Sequence, residues 1–133
     1  MKRTIFILED NEDIGFILDY FLTEEGFSVK LFTSLTDFHF TFRHELPDLF
    51  LLDVMLPDGD GLKLCREIKN NKRSQMIPIV MMSAHSPSEV LANEACADGF
   101  ILKPFDLPEV SVKIQNFLNN RLDVVSPPGN RQD

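Results

Sequence analysis

Leu49, Phe50, Leu51 and Leu52 are apolar at four consecutive positions, and the run ends in Asp53, followed by Val54-Met55-Leu56-Pro57-Asp58-Gly59-Asp60-Gly61. A run without polar alternation suits a strand covered on both faces, the situation of a parallel sheet flanked by helices. A carboxylate at the tip of such a strand is costly unless a cation, a hydrogen-bond partner or chemistry meets it. The run therefore dictates a layered α/β arrangement and raises the question of what faces Asp53.

The rest of the chain answers to that arrangement. Short apolar runs at residues 4–8, 28–32, 49–52, 77–82 and 100–102 alternate with helical patterns. Ile14, Ile17, Leu18, Phe21 and Leu22 fall on one face of a first helix, with Asn11 as N-cap and Gly26 closing it. Phe38, Phe40 and Phe42 alternate as in a strand, but Leu35, Phe38 and Phe42 share a helical face and Pro47 follows, so a second helix is expected. Phe40 then points elsewhere, and burial of it by the tertiary fold is the favoured outcome over an exposed docking residue. Leu62, Cys65 and Ile68 mark a third helix, and Val90, Leu91 and Ala95 a weaker fourth. Leu107, Val110, Ile114, Phe117 and Leu118 mark the last, with Asp106 as N-cap and Pro108 in its first turn. Five strand–helix units joined by crossovers of helix length imply a parallel sheet with helices on both faces. One domain over residues 1–120 accommodates them. Residues 121–133, with Ser126-Pro127-Pro128-Gly129, read as a flexible tail or linker stub.

Composition narrows the function. The 133 residues carry a net charge of −8, which argues against direct nucleic-acid binding by this domain, because phosphate contacts need a basic face. No window approaches the roughly 18 apolar residues of a membrane span, and the first apolar run is too short for a signal sequence, so a cytoplasmic location is expected. Cys65 and Cys96 lack the spacing of a metal site and read as core thiols in a reducing compartment.

In an open α/β sheet, ligands bind beyond the carboxyl ends of the strands. The first strand delivers Glu9 and Asp10 there, the third Asp53, the fourth Ser83, and the fifth Lys103 and Pro104. Two like charges about 6 Å apart at an effective dielectric near 20 repel by roughly 3 kcal/mol. Lys103 supplies one compensating charge, and a hard divalent cation would supply more, since Mg2+ favours carboxylates, a carbonyl, waters and a phosphoryl oxygen. A nucleophilic carboxylate beside Mg2+, a lysine and a hydroxyl can carry out phosphoryl transfer.

These motifs, Glu9-Asp10, Asp53 with Met55-Leu56-Pro57-Asp58-Gly59, Ser83-Ala84 and Lys103-Pro104-Phe105, in this order at strand ends, resemble the receiver domain of two-component response regulators over about residues 3–120. The resemblance implies a flavodoxin-like, doubly wound (βα)5 sandwich with strand order 2-1-3-4-5. It implies Asp53 as phosphoacceptor, and Glu9, Asp10, Asp53 and the Met55 backbone carbonyl around Mg2+ or Mn2+. Lys103 matches the phosphate-binding lysine, preceding a cis Pro104, and Ser83 and Phe100 match the switch pair. Tyr is common at the Phe100 position, and Phe lacks the hydroxyl that would hold an inward state. The implied phosphodonor is a sensor histidine kinase or a histidine phosphotransfer protein. The implied output is a changed surface on the fourth helix, fifth strand and fifth helix, read by a downstream protein or a fused output domain. The protein is then a signalling module whose only chemistry is its own phosphorylation and dephosphorylation.

Three other readings fit less well. An aspartyl phosphatase needs Asp-x-Asp after the first strand, which Glu9-Asp10-Asn11 does not supply. A flavin binder needs a hydroxyl-rich phosphate loop where residues 9–13 are acidic. A constitutive interaction module has no use for an intact acidic site. Asp58-Gly59-Asp60-Gly61 lacks the spacing and terminal Glu of a calcium loop and reads as a turn. His85 lies two residues past Ser83, near the expected pocket; at this position and at Met55 the family tunes the lifetime of the phosphorylated state, and a solvent-exposed loop histidine without a role is an equal reading. His39 and His44 are expected at the surface.

Overall fold

The computed structural model of the protein describes residues 2–84 and 96–125, and the side chains of residues 120–125 are left aside. Five strands form one parallel sheet: β1 (Thr4–Leu8), β2 (Ser28–Phe32), β3 (Leu49–Asp53), β6 (Ile79–Ser83) and β7 (Gly99–Leu102). Their order is β2-β1-β3-β6-β7, which is 2-1-3-4-5 for the five principal strands. A two-stranded hairpin, β4 (Met55–Leu56) and β5 (Gly59–Asp60), follows β3. The helices are α1 (Glu12–Glu24), α2 (Leu35–Phe42), α3 (Gly61–Lys69) and, among the described residues, α4 (Leu107–Val125). The helical pattern at Val90, Leu91 and Ala95, and His85, lie outside the described residues.

Every side chain of β3 and β6 is buried, as the unbroken apolar run demands. Alternate residues feed opposite layers. Phe6, Leu8, Phe50, Leu52, Ile79 and Met81 pack with α2 and α3. Ile5, Ile7, Leu49, Leu51, Val80 and Met82 pack with α1 and α4. The abundance of Phe is concentrated in the first layer. Phe38 lies with ring centroids 5.5 Å from Phe32, 5.5 Å from Phe42 and 5.9 Å from Phe50. Such aromatic contacts contribute beyond their buried area.

Local signals explain the element ends. The Asn11 side chain accepts from the Ile14 N–H and caps α1, and Gly26, at φ +101°, turns the chain after it. Ser34 caps α2 and Asp60 caps α3 in the same way. The Asp106 carbonyl accepts from the Val110 N–H, the backbone bond of an N-cap, with Pro108 in the first turn of α4. The fourth principal strand starts at Ile79 rather than Ile77. Pro78 has no N–H for the ladder, and the Ile77 N–H is turned to the Ser74 carbonyl instead. Helix α4 continues past Asn120 to Val125.

Two burial expectations fail. Phe40 is 66% exposed. It is two residues, about 200° of helical rotation, from the Phe38 face that meets the sheet, and its ring rests edge-on against His44. Ile17 is 47% exposed, because the buried stripe of α1 is Gly15, Leu18 and Leu22 and leaves Ile17 at its rim beside exposed Phe16 and Tyr20.

The chain returns tightly under Asp53. The Gly61 N–H donates to the Val54 carbonyl at 2.8 Å, and a Cβ on Gly61 would collide with the Asp53 carbonyl oxygen. Backbone cannot give way as a flexible side-chain end can. Gly61→Ala is therefore expected to destabilise the fold by about 1–3 kcal/mol, read as a lower urea midpoint with an unchanged m-value.

Candidate functional site

The parallel register brings the ends of β1, β3, β6 and β7 to one edge of the sheet. Beyond β1, the Glu9 N–H donates to the Phe32 carbonyl, fixing the residue between β1 and β2. Beyond β3, the Val54 N–H donates to the Met82 carbonyl, and beyond β7 the Lys103 N–H donates to the Ser83 carbonyl. Each functional side chain is thus hung on a backbone that the sheet holds. The Lys103–Pro104 bond is cis.

Lys103 is the hub. Its ammonium donates to Glu9 Oε1 at 2.8 Å and to Asp53 Oδ2 at 3.1 Å. Asp53 Oδ1 accepts from the Met55 N–H at 3.3 Å, and Glu9 Oε2 accepts from the Asn11 N–H at 3.1 Å. Glu9 is 1% exposed and Asp53 7%. Asp10 is exposed beside them, and carboxylate oxygens of Glu9, Asp10 and Asp53 all lie within 4.8 Å of one another. Burial opposes the Lys103 charge, but its hydrogen bonds to Glu9 and Asp53 and the charges of both carboxylates outweigh burial, so its pKa lies above the ordinary lysine value. Burial raises the Glu9 pKa. The bonds from Lys103 and Asn11 pull it down, the charge on Asp53 pushes it up, and the net direction is upward. Three carboxylates lie together and the Lys103 ammonium pairs with two of them, Glu9 and Asp53, leaving a deficit of positive charge that a hard divalent cation would fill.

Beside Asp53 opens a cleft of about 190 Å3 lined by Asp53, Val54, Met55, Ser83, Ala84 and Lys103. Ser83 is 3% exposed. Met55 lines the cleft although it is 69% exposed. Phe100 is half-buried against the Phe-rich layer. A larger depression of about 510 Å3 along α4, near Val112 and Phe117, holds no such ligand set, so its size does not make it the chemical centre.

The structure therefore gathers Glu9, Asp10, Asp53, Met55, Ser83 and Lys103 and leaves Phe100 outside the immediate cleft. His39 lies elsewhere, with Nε2 3.2 Å from Glu67 on α3. Sequence reasoning missed the direct Glu9–Lys103 ion pair, because residues 94 apart announce no contact. It also missed Asp58, whose carboxylate accepts from the Leu35 N–H and ties the β4–β5 hairpin to α2.

A parallel five-stranded sheet with a lysine and a cluster of carboxylates that could hold a metal ion at its carboxyl edge defines an α/β protein with its candidate site beyond the strand ends. Residues 5–115 match the model of the response regulator receiver domain, and the chain belongs to that family. It is 36% identical over 118 residues to the transcriptional regulatory protein GltR of Pseudomonas aeruginosa, a match covering 87% of this chain and 49% of that protein. The chain thus spans about half the length of the curated relatives it matches. Among solved structures, it resembles the signal receiver domain of a signal transduction histidine kinase from Syntrophus aciditrophicus, with TM-score 0.81, 28% identity, and 89% and 91% of the two chains covered. It also resembles the response regulator TrrA of Thermotoga maritima in complex with Mg2+–BeF, with TM-score 0.76, 26% identity, and 87% and 98% covered. No helix among the described residues is long and apolar enough to cross a membrane.

Proposed function

We propose that this receiver domain accepts a phosphoryl group on Asp53 from a phosphohistidine of a sensor kinase or phosphotransfer protein, and that the phosphorylated state governs contact with a downstream protein or output domain. The observation that carries this reading is the Lys103 ammonium spanning Glu9 and Asp53, with Asp10 in reach, at the mouth of the Asp53 cleft.

The chemistry follows from the residues. Asp53 is buried enough to lose competing water yet opens to the cleft. Its carboxylate oxygen forms the new bond to phosphorus as the phosphorus–nitrogen bond of the donor breaks, and the departing imidazole nitrogen keeps or takes up a proton. The product is an aspartyl acyl phosphate. Lys103 then bonds to a phosphoryl oxygen, spreading the charge that develops there. The Ser83 hydroxyl, lining the same cleft, donates to another. Glu9, Asp10, Asp53 and the Met55 carbonyl would hold Mg2+ or Mn2+, which would neutralise carboxylate and phosphoryl charge. The same arrangement would promote hydrolysis of the acyl phosphate and so reset the protein. The Ser83–Phe100 pair would supply the link outward along the paired strands β6 and β7, where Ser83 stands opposite Leu102 and Phe100 opposite Met81. The curated relatives are transcriptional regulators of about twice this length, and the cited receiver structure with Mg2+–BeF supports the choice of cation.

Incubation with phosphoramidate, whose phosphorus–nitrogen bond stands in for phosphohistidine, tests the metal. A single phosphoryl adduct is expected with Mg2+, and roughly tenfold less or none in excess chelator. Equal labelling in chelator would defeat the metal assignment. Steady turnover of p-nitrophenyl phosphate without a stable adduct would make the protein a phosphatase instead.

A further inference from the structure

Cys65 and Cys96, far apart in sequence, come together in the fold. Cys65 on α3 is fully buried, and Cys96, three residues before β7, is half-buried against the same apolar layer. Cys96 Sγ lies 4.0 Å from the Leu62 carbonyl oxygen. Leu62 is one helical turn before Cys65, and a helical side chain leans back over the turn preceding it. The Cys65 side chain is therefore aimed at the place Cys96 occupies, within the same apolar layer. Nothing in the phosphoryl chemistry uses them.

We propose that Cys65 and Cys96 are a redox modification site that closes to an intramolecular disulfide on exposure to a peroxide. Cys96, the more accessible thiol, reacts first. Its sulfur bonds to one peroxide oxygen, the oxygen–oxygen bond breaks, and the released hydroxide takes the thiol proton as water. Cys65 sulfur then attacks Cys96 sulfur, the sulfur–oxygen bond breaks, and the second hydroxide leaves with the Cys65 proton as another water. Two thiols are oxidised by two electrons and one hydrogen peroxide is reduced to two waters. Burial, and next the Cys96 thiol itself, keep Cys65 well above the ordinary cysteine pKa. It resists direct attack by oxidant, which leaves Cys96 as the first target, and its resolving role rests on its place beside Cys96. The new bond would tie α3 covalently to the segment entering β7, where the Lys69 ammonium already meets the Asp98 carboxylate at 2.9 Å.

The reduced chain, treated with a small excess of hydrogen peroxide, is expected to lose both titratable thiols and the mass of two hydrogen atoms. Digestion should yield one peptide pair joined through Cys65 and Cys96, and the oxidised protein should unfold at higher urea than the dithiothreitol-treated one. Cys65→Ser should instead stop at a Cys96 sulfenic or sulfinic acid. Two thiols still free, oxygen adducts on the wild type without the linked peptide, or covalent dimers as the main product would each overturn the proposal. None of these readouts depends on phosphorylation.

Discussion

Asp53→Asn is expected to take up no hydroxylamine-labile phosphoryl group under conditions that label the wild type. The amide keeps the shape of the side chain but offers no carboxylate oxygen to form an acyl phosphate, so the loss is of the reaction and not of a fraction of its rate. The fold should survive. Asparagine gives up the 3.1 Å bond that Lys103 makes to Asp53 Oδ2, and it also removes one of three crowded negative charges. The opposing terms leave stability changed by no more than about 1 kcal/mol. An unlabelled variant with a native urea transition separates lost chemistry from lost structure.

Lys103→Met is the second large effect, and it acts on both stability and chemistry. Among the described residues, Lys103 alone makes ion pairs with Glu9 and Asp53. Removing it leaves a carboxyl that is 1% exposed without its cation. Breaking such a pair typically costs about 3–5 kcal/mol, but Glu9 has an escape because it can take up a proton, so about 2 kcal/mol at pH 7 is expected. The pH dependence follows from the upward direction of the Glu9 pKa. A carboxyl whose folded pKa exceeds its unfolded value contributes its full stability below the unfolded value and loses it as pH rises through the folded one. The deficit of Lys103→Met should therefore shrink as pH falls towards the ordinary carboxylate range and be greatest at neutral pH. Mg2+ should recover part of it by binding the folded state. Urea midpoints at pH 5 and pH 7, with and without Mg2+, read all of this. A deficit independent of pH would mean that Lys103 acts through packing alone. Labelling of this variant should be far below wild type, because no ammonium meets the phosphoryl oxygens.

Much of this site was legible because strand ends are legible. The unbroken run from Leu49 to Leu52 demanded cover on both faces, and β3 is buried at every position. In a parallel sheet, everything that follows a strand lands on one edge, so Glu9, Asp53, Ser83 and Lys103 were bound to meet once the strands were identified. Where sequence reasoning went astray, geometry between elements decided. The burial of Phe40 and Ile17 depended on how α2 and α1 are rotated on the sheet, which a few apolar residues at near-helical spacing do not determine. The start of β6 depended on the missing N–H of Pro78, a local fact available from sequence but outvoted by the apolar Ile77. The contact between Cys65 and Cys96 depended on the docking of α3 beside the approach to β7, and no spacing motif records it. The roles assigned to Asp10, Met55, Ser83 and Phe100 are those the family resemblance implies, and Asp53 and Lys103 are the two residues with the strongest geometric claim.

The central claim is that Asp53 is a reversible attachment point for a phosphoryl group. Intact mass spectrometry of the wild type and Asp53→Asn after incubation with Mg2+ and phosphoramidate, before and after hydroxylamine, tests it most directly. The account predicts one phosphoryl increment on the wild type, erased by hydroxylamine, and none on the variant. No increment on the wild type, or an equal one on Asp53→Asn, would contradict it.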